Sequence, residues 1–109
     1  MRTEPGTTTL EITYSADEGA EVQRWTLTCE PTGGDHPDAE RACADLAAEQ
    51  EPFAPIPADA MCTEIWGGPQ TATVRGTYRG APVDLELSRV NGCFIDQWER
   101  LGALLPPPS

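Results

Sequence analysis

The sequence predicts an α+β fold in which an antiparallel sheet carries two short helices. Three observations lead there. Apolar side chains alternate with polar ones around positions 10–14, 25–29, 72–78 and 83–87. Two stretches, 39–47 and 94–101, instead repeat their apolar residues at helical spacing. Gly and Pro fall mostly between these stretches, which marks turns.

The first strand is read from Thr7-Thr8-Thr9-Leu10-Glu11-Ile12-Thr13-Tyr14, where Leu10, Ile12 and Tyr14 share one face. Asp17-Glu18-Gly19 turns the chain. Val22–Cys29 forms a second strand, with Trp25, Leu27 and Cys29 on one face and Thr26 and Thr28 on the other. Glu30–Gly34 is expected to be a loop. Asp35-His36-Pro37-Asp38 then opens a helix with a polar cap, a first-turn proline and acids at the positive end of the dipole. Its buried stripe is Ala39, Ala42, Cys43, Leu46 and Ala47. Glu49–Ala60 is an extended, proline-broken connection. Gln70–Tyr78 is a third strand, with Ala72, Val74, Gly76 and Tyr78 on one face. Arg79-Gly80 is a hairpin turn into a fourth strand, where Val83, Leu85 and Leu87 alternate with Asp84, Glu86 and Ser88. Asn91-Gly92 leads into a second helix with Phe94, Ile95, Trp98 and Leu101 on its apolar face and Gly102 as its stop. Leu104 and Leu105 are expected to add a last short strand. No repeat or linker interrupts the chain, so residues 1–109 are expected to form one domain, with 1–6 and 106–109 as flexible ends.

Composition narrows the partners. The formal net charge of -11 disfavours nucleic acid and anionic membrane surfaces, and no run is long and apolar enough to span a bilayer. Four cysteines, Cys29, Cys43, Cys62 and Cys93, lack C-x-x-C spacing, and the one histidine, His36, is not close in sequence to any of them. In a small acidic chain this fits two structural disulfides in an oxidising compartment. Three connectivities are open from the cysteines alone. Sequential pairing closes loops of moderate length and contributes roughly 3–4 kcal/mol per bridge in the chain-entropy model. Met1–Gly6 has no apolar stretch of a secretory leader, which leaves either a leader already removed or a cytosolic protein; the four cysteines favour the first, so a secreted, extracellular protein is the expectation.

The residues argue against an enzyme. His36, followed by Pro37 at a helix start, reads as a capping or loop residue. No nucleophile elbow, zinc helix or phosphate-binding glycine loop is present. The carboxylates sit on strand faces and in helix turns, where they are solvated, and Asp35, Asp38 and Glu40 do not follow a calcium-loop pattern. No catalytic residue, metal site or cofactor is expected.

The segment Met61-Cys62-Thr63-Glu64-Ile65-Trp66-Gly67-Gly68-Pro69 carries the functional signal. A half-cystine precedes three side chains suited to protease subsites, and Pro52, Pro55 and Pro57 keep the approach extended. The residues alone leave two readings open: an ordinary tethered loop, or a stiff, substrate-like strand whose ordering entropy has been lost on folding.

Several motifs then resemble one family. Leu27-Thr28-Cys29-Glu30-Pro31, His36-Pro37, Ala42-Cys43-Ala44-Asp45-Leu46-Ala47, Met61-Cys62-Thr63, Gly67-Gly68-Pro69-Gln70 and Asn91-Gly92-Cys93 resemble the Streptomyces subtilisin inhibitors, secreted protein inhibitors of serine proteases. The resemblance implies a five-stranded antiparallel sheet with two helices, the disulfides Cys29–Cys43 and Cys62–Cys93, and a homodimer formed through the sheet. It implies a reactive bond Glu64–Ile65, with Glu64 as P1 and Ile65 as P1′. Met61, Cys62, Thr63 and Trp66 then become P4, P3, P2 and P2′, and Asn91 braces the loop together with Cys93. The sequence departs from the pattern at P1, commonly Met or a basic residue in the family. An acid there points either to a glutamate-specific serine protease or to weaker binding of subtilisin through Met61 and strand pairing. A protease-binding partner of the same fold without inhibition, or inhibition of a secreted metalloprotease through a separate surface, are the alternatives.

Overall fold

The computed structural model describes residues 8–17, 19–29 and 31–105. Residues 1–7 and 106–109, with Glu18 and Glu30, lie outside the described residues, and with them the expected flexible ends.

Five strands, β1 (Thr8–Ser15), β2 (Gln23–Cys29), β3 (Gly33–Gly34), β4 (Thr71–Tyr78) and β5 (Ala81–Ser88), form one antiparallel sheet in the order β3-β2-β1-β4-β5. Two helices, α1 (Ala39–Ala48) and α2 (Gly92–Arg100), complete the α+β fold. The alternation read from the sequence sets the register. Leu10 pairs with Leu27 and Ile12 with Val74, so apolar side chains of β1, β2 and β4 share one face. Leu10, Ile12, Leu27 and Val74 are fully buried there. Each contributes roughly 1.5–3 kcal/mol relative to an exposed side chain. Ala42 and Leu46 of α1 and Trp98 of α2 close the same core. The opposite face carries Thr9, Glu11, Thr26, Arg75, Asp84 and Glu86, all exposed.

Aromatic contacts run through the core from β2 to α2. Tyr14 stacks on Trp25 with ring centroids 6.3 Å apart and meets Trp98 edge-on at 6.1 Å. The β4–β5 hairpin turns on Arg79 and Gly80, both at positive φ (50° and 85°). This two-residue turn matches the right-handed twist of the flanking strands.

Several expectations need correction. Leu104 and Leu105 do not form a strand. Gly102, at φ 58°, ends α2 and begins a 3-10 turn over Gly102–Leu104. The Asp45 carboxylate of α1 accepts the Ala103 N–H at 2.9 Å, which holds this turn against the helix and away from any sheet edge. The fifth strand is Gly33–Gly34, inside the segment read as a loop. Helix α1 begins at Ala39, with Asp38 at its cap position but without a side-chain cap bond. Asp35 instead accepts the Thr26 N–H at 2.6 Å. Ala47, placed on the buried stripe, is exposed, while Gln97 of α2 is buried and donates to Ala54 O at 3.4 Å.

His36 is buried and uses both ring nitrogens. Nδ1 lies 3.0 Å from the Asp38 N–H, so it must accept. Nε2 therefore carries the proton and donates to Leu104 O at 2.8 Å. The histidine is a structural link between the start of α1 and the 3-10 turn.

Candidate functional site

The site is a convex arch. Residues 61–68 have no regular secondary structure, and the chain from Met61 to Trp66 stands out from the body. Met61 is 97% exposed, Ile65 60% and Trp66 67%, while Glu64 is also exposed. Val90, beside the arch in the β5–α2 connection, is 50% exposed. Four of the five exposed large apolar side chains among the described residues therefore gather here, with only Val22 elsewhere. A cluster of this kind marks an interaction surface rather than scattered surface apolarity.

What holds the arch is local and specific. The Cys62–Cys93 disulfide joins its start to the first turn of α2, with Cα atoms 5.1 Å apart. Next to it, the Gly92 N–H donates to Thr63 O at 2.9 Å. The first amides of a helix have no partner within it, and the arch uses one of these. On the far side, the Gly67 N–H donates to Arg89 O at 2.7 Å. Two backbone hydrogen bonds thus seat Thr63 and Gly67 on Arg89–Gly92, and Glu64, Ile65 and Trp66 bridge the gap.

The seating is close enough at both glycines that an added Cβ would displace a neighbouring side chain. A Cβ on Gly92 would collide with the Thr63 hydroxyl, and one on Gly67 would lie 2.7 Å from Ile95 Cδ1 and 3.2 Å from Arg89 Cβ. The platform itself is firm. Asn91 caps α2, its side chain accepting the Phe94 N–H at 3.1 Å while its carbonyl accepts the Ile95 N–H at 2.9 Å.

The structure brings Met61, Cys62, Thr63, Glu64, Ile65 and Trp66 together with Asn91 and Cys93. The described side-chain bond of Asn91 goes to its own helix, so it orders the platform; the direct bond to the arch comes from Gly92. The Glu64 carboxylate makes no hydrogen bond or ion pair with the described residues. The other bridge, Cys29–Cys43, lies on the opposite flank and ties α1 to β2, with Cα atoms 5.8 Å apart. The sequence reading missed Arg89, which is 5% exposed and donates from Nε to Gly67 O at 3.3 Å. A signal was available: continuing the alternation of Val83, Leu85 and Leu87 puts position 89 on the buried face.

Among the described residues no group of three or more His, Cys, Asp or Glu side chains is placed to hold a metal ion. A concavity of about 700 Å³ lies elsewhere, lined by residues including Trp25, His36, Asp45 and Trp98. No arch residue lines it.

Comparison with known proteins agrees with this geometry. Residues 6–91 match the family model described as subtilisin inhibitor-like. The subtilisin inhibitor of Streptomyces violaceus is 42% identical over 93 residues, covering 81% of this chain and 63% of that protein. Subtilisin inhibitor-like protein 3 of Streptomyces coelicolor is 42% identical over 82 residues, 72% of this chain and 76% of that protein. Subtilisin inhibitor-like protein 1 of Streptomyces cacaoi is 32% identical over 99 residues, 85% of this chain and 89% of that protein. With the arch, both disulfides and the sheet order in place, the chain belongs to the subtilisin inhibitor-like family.

Proposed function

We propose that the chain is a single-domain, extracellular inhibitor of serine endopeptidases, with Glu64–Ile65 as its reactive bond. The observation that carries this reading is the three-residue arch Glu64-Ile65-Trp66, exposed and held at both ends by backbone hydrogen bonds and a disulfide. Membership in a family of inhibitors supports it and also supports the absence of enzymatic activity. An extended segment of this kind adds to the substrate-binding strand of a protease through main-chain hydrogen bonds, and its side chains fill successive subsites. Because the arch is ordered before binding, little conformational entropy is lost in the complex. The Cys62–Cys93 bridge keeps Glu64 near Ile65 after cleavage, so religation competes with release.

The acidic P1 residue selects the target. Burying an unpaired carboxylate in an apolar S1 cleft is costly, whereas a glutamate-specific protease supplies a partner for it. The exposed, unpaired Glu64 carboxylate favours a target of the second kind, with subtilisin bound more weakly. A homodimer formed through the polar sheet face belongs to the same proposal. The test titrates subtilisin and a glutamate-specific serine protease with the protein and sequences the new N-terminus after prolonged incubation. Stoichiometric inhibition of either enzyme and a new terminus at Ile65 support the reading. Binding without inhibition of either enzyme would leave a protease-binding partner of the same fold, and cleavage elsewhere would move the reactive bond.

A further inference from the structure

We infer that Arg89 is the positioning residue that holds the primed side of the reactive bond, so that the new amino terminus at Ile65 stays seated after cleavage. This rests on the placement of the reactive bond at Glu64–Ile65. The disulfide and the Gly92–Thr63 hydrogen bond both act on residues before that bond. On the other side, the described hydrogen bonds that tie the arch to the body all involve Arg89. Its carbonyl accepts the Gly67 N–H at 2.7 Å, and its Nε returns a bond to Gly67 O at 3.3 Å. Both peptide groups flanking Gly67 are thereby engaged by one residue.

Arg89 is unusual for a cation. It is 5% exposed, at the inward position that follows the β5 alternation. Its guanidinium lies over the Trp98 ring, 5.6 Å from the centroid, and Nη2 meets Glu99 at 3.3 Å. Nη1 is buried without a partner among the described residues. A buried cation with one donor unpaired is a poor way to fill a core, where an apolar side chain of similar volume serves as well or better. What the guanidinium adds is a planar fork. The Trp98 face and Glu99 fix its plane, and Nε points at the arch. A flexible ammonium at this position has no equivalent fixed donor.

The consequence concerns hydrolysis and its reversal. Water adds across the Glu64–Ile65 peptide to give a Glu64 carboxylate and an Ile65 amine, and religation expels the same water. Religation requires both ends to remain in place. Cys62 and Gly92 hold the carboxyl side; Arg89 holds the amine side, two residues from the new terminus.

The experiment compares the parent protein with Arg89→Met, which keeps an apolar stem near Trp98 and removes the fork. Amide hydrogen exchange is measured at Gly67 and Gly92, and nicking is followed with subtilisin and a glutamate-specific protease. The variant keeps the carbonyl that accepts the Gly67 N–H and loses the Nε bond to Gly67 O, so the seat opens more often and exchange at Gly67 is expected to rise about tenfold with Gly92 unchanged, the scale of one hydrogen bond from a charged donor. The nicked fraction at equilibrium is expected to rise correspondingly. Equal acceleration at both glycines, or none at either, overturns the inference, because a general loss of stability moves both. A second measurement needs no substitution: in the nicked parent protein, Gly67 should stay protected. Exchange there at the rate of an open chain overturns the inference as well. Nicking of the parent at a bond other than Glu64–Ile65 would refute the reactive-bond placement alone, since the Gly67 and Gly92 comparison in uncut protein still reports on the Arg89 contact.

Discussion

Removing each disulfide separately divides stability from inhibition. Cys62 and Cys93 are 31 residues apart in sequence, Cys29 and Cys43 14. In the chain-entropy relation these loops correspond to about 3.7 and about 3.0 kcal/mol at 25 °C, a difference of only about 0.7 kcal/mol. For a chain of this size, with about 2.1 cal/mol/K of unfolding entropy per residue, 1 kcal/mol shifts the melting temperature by about 4 °C. Both double serine variants, Cys62→Ser with Cys93→Ser and Cys29→Ser with Cys43→Ser, should therefore melt about 12–15 °C below the parent. Their inhibition should differ sharply. The first variant loses the tether at the start of the arch and should be cut and consumed by protease at a temperature where it is still folded. The second keeps the arch, its two backbone bonds and its tether, and should inhibit like the parent. Calorimetry and a time course of residual protease activity, both well below the transitions, provide the check. If the two variants were consumed at the same rate, the Cys62–Cys93 bridge would be no more than a staple for the fold.

Glu64→Met should tighten binding to subtilisin by roughly 1–3 kcal/mol, the cost of a buried unsatisfied polar group, and weaken binding to a glutamate-specific protease; inhibition constants for both enzymes decide it. Gly92→Ala should weaken inhibition because its Cβ meets the Thr63 hydroxyl and displaces the arch; inhibition constants check it. His36→Ala should leave inhibition intact and cost about 1–3 kcal/mol, because Leu104 O loses its buried donor; denaturant unfolding measures it. Sedimentation of the parent should show a dimer that strengthens with salt as repulsion is screened over ~8–10 Å, and Thr73→Glu, across from Glu86 on the open sheet face, should shift it to monomer.

The parts of the fold legible in the sequence were those with a period. Leu10, Ile12 and Tyr14 announce β1 because a half-buried strand must alternate, and Val83, Leu85 and Leu87 do the same for β5. Gly33–Gly34 could not be read this way: two glycines present no face, and the pairing to Leu27 and Thr28 is purely main-chain. Leu104 and Leu105 were misread for the opposite reason. An apolar pair is compatible with strand or turn, and what decides is Asp45 and His36, both distant in sequence. At the site, the arch residues were legible from Cys62 and the glycines that follow it. Arg89 was not, because an arginine ends an apolar alternation by its charge even where the backbone continues it inward.

The architecture explains why an acid can stand at position 64 without harming the fold. Every contact that seats the arch is made by main chain, by the disulfide or by Arg89: Thr63 O, Gly67 N and O, and the Cys62 sulfur. None is made by the side chains of Glu64, Ile65 or Trp66, which are exposed. A substitution at 64 therefore changes what the arch presents, with little change in how it is held, and surface changes of this kind usually alter stability by less than about 0.5 kcal/mol. What the arch presents and what holds it are separable because different residues carry them: the exposed side chains of 64–66 on one hand, the contacts of 62, 63 and 67 on the other. The same separation assigns the limits of variation: position 64 is held by no side-chain contact, whereas 67 is bonded to 89 and 63 to 92, so a change at 67, 89 or 92 acts on how the arch is held whatever side chain it presents.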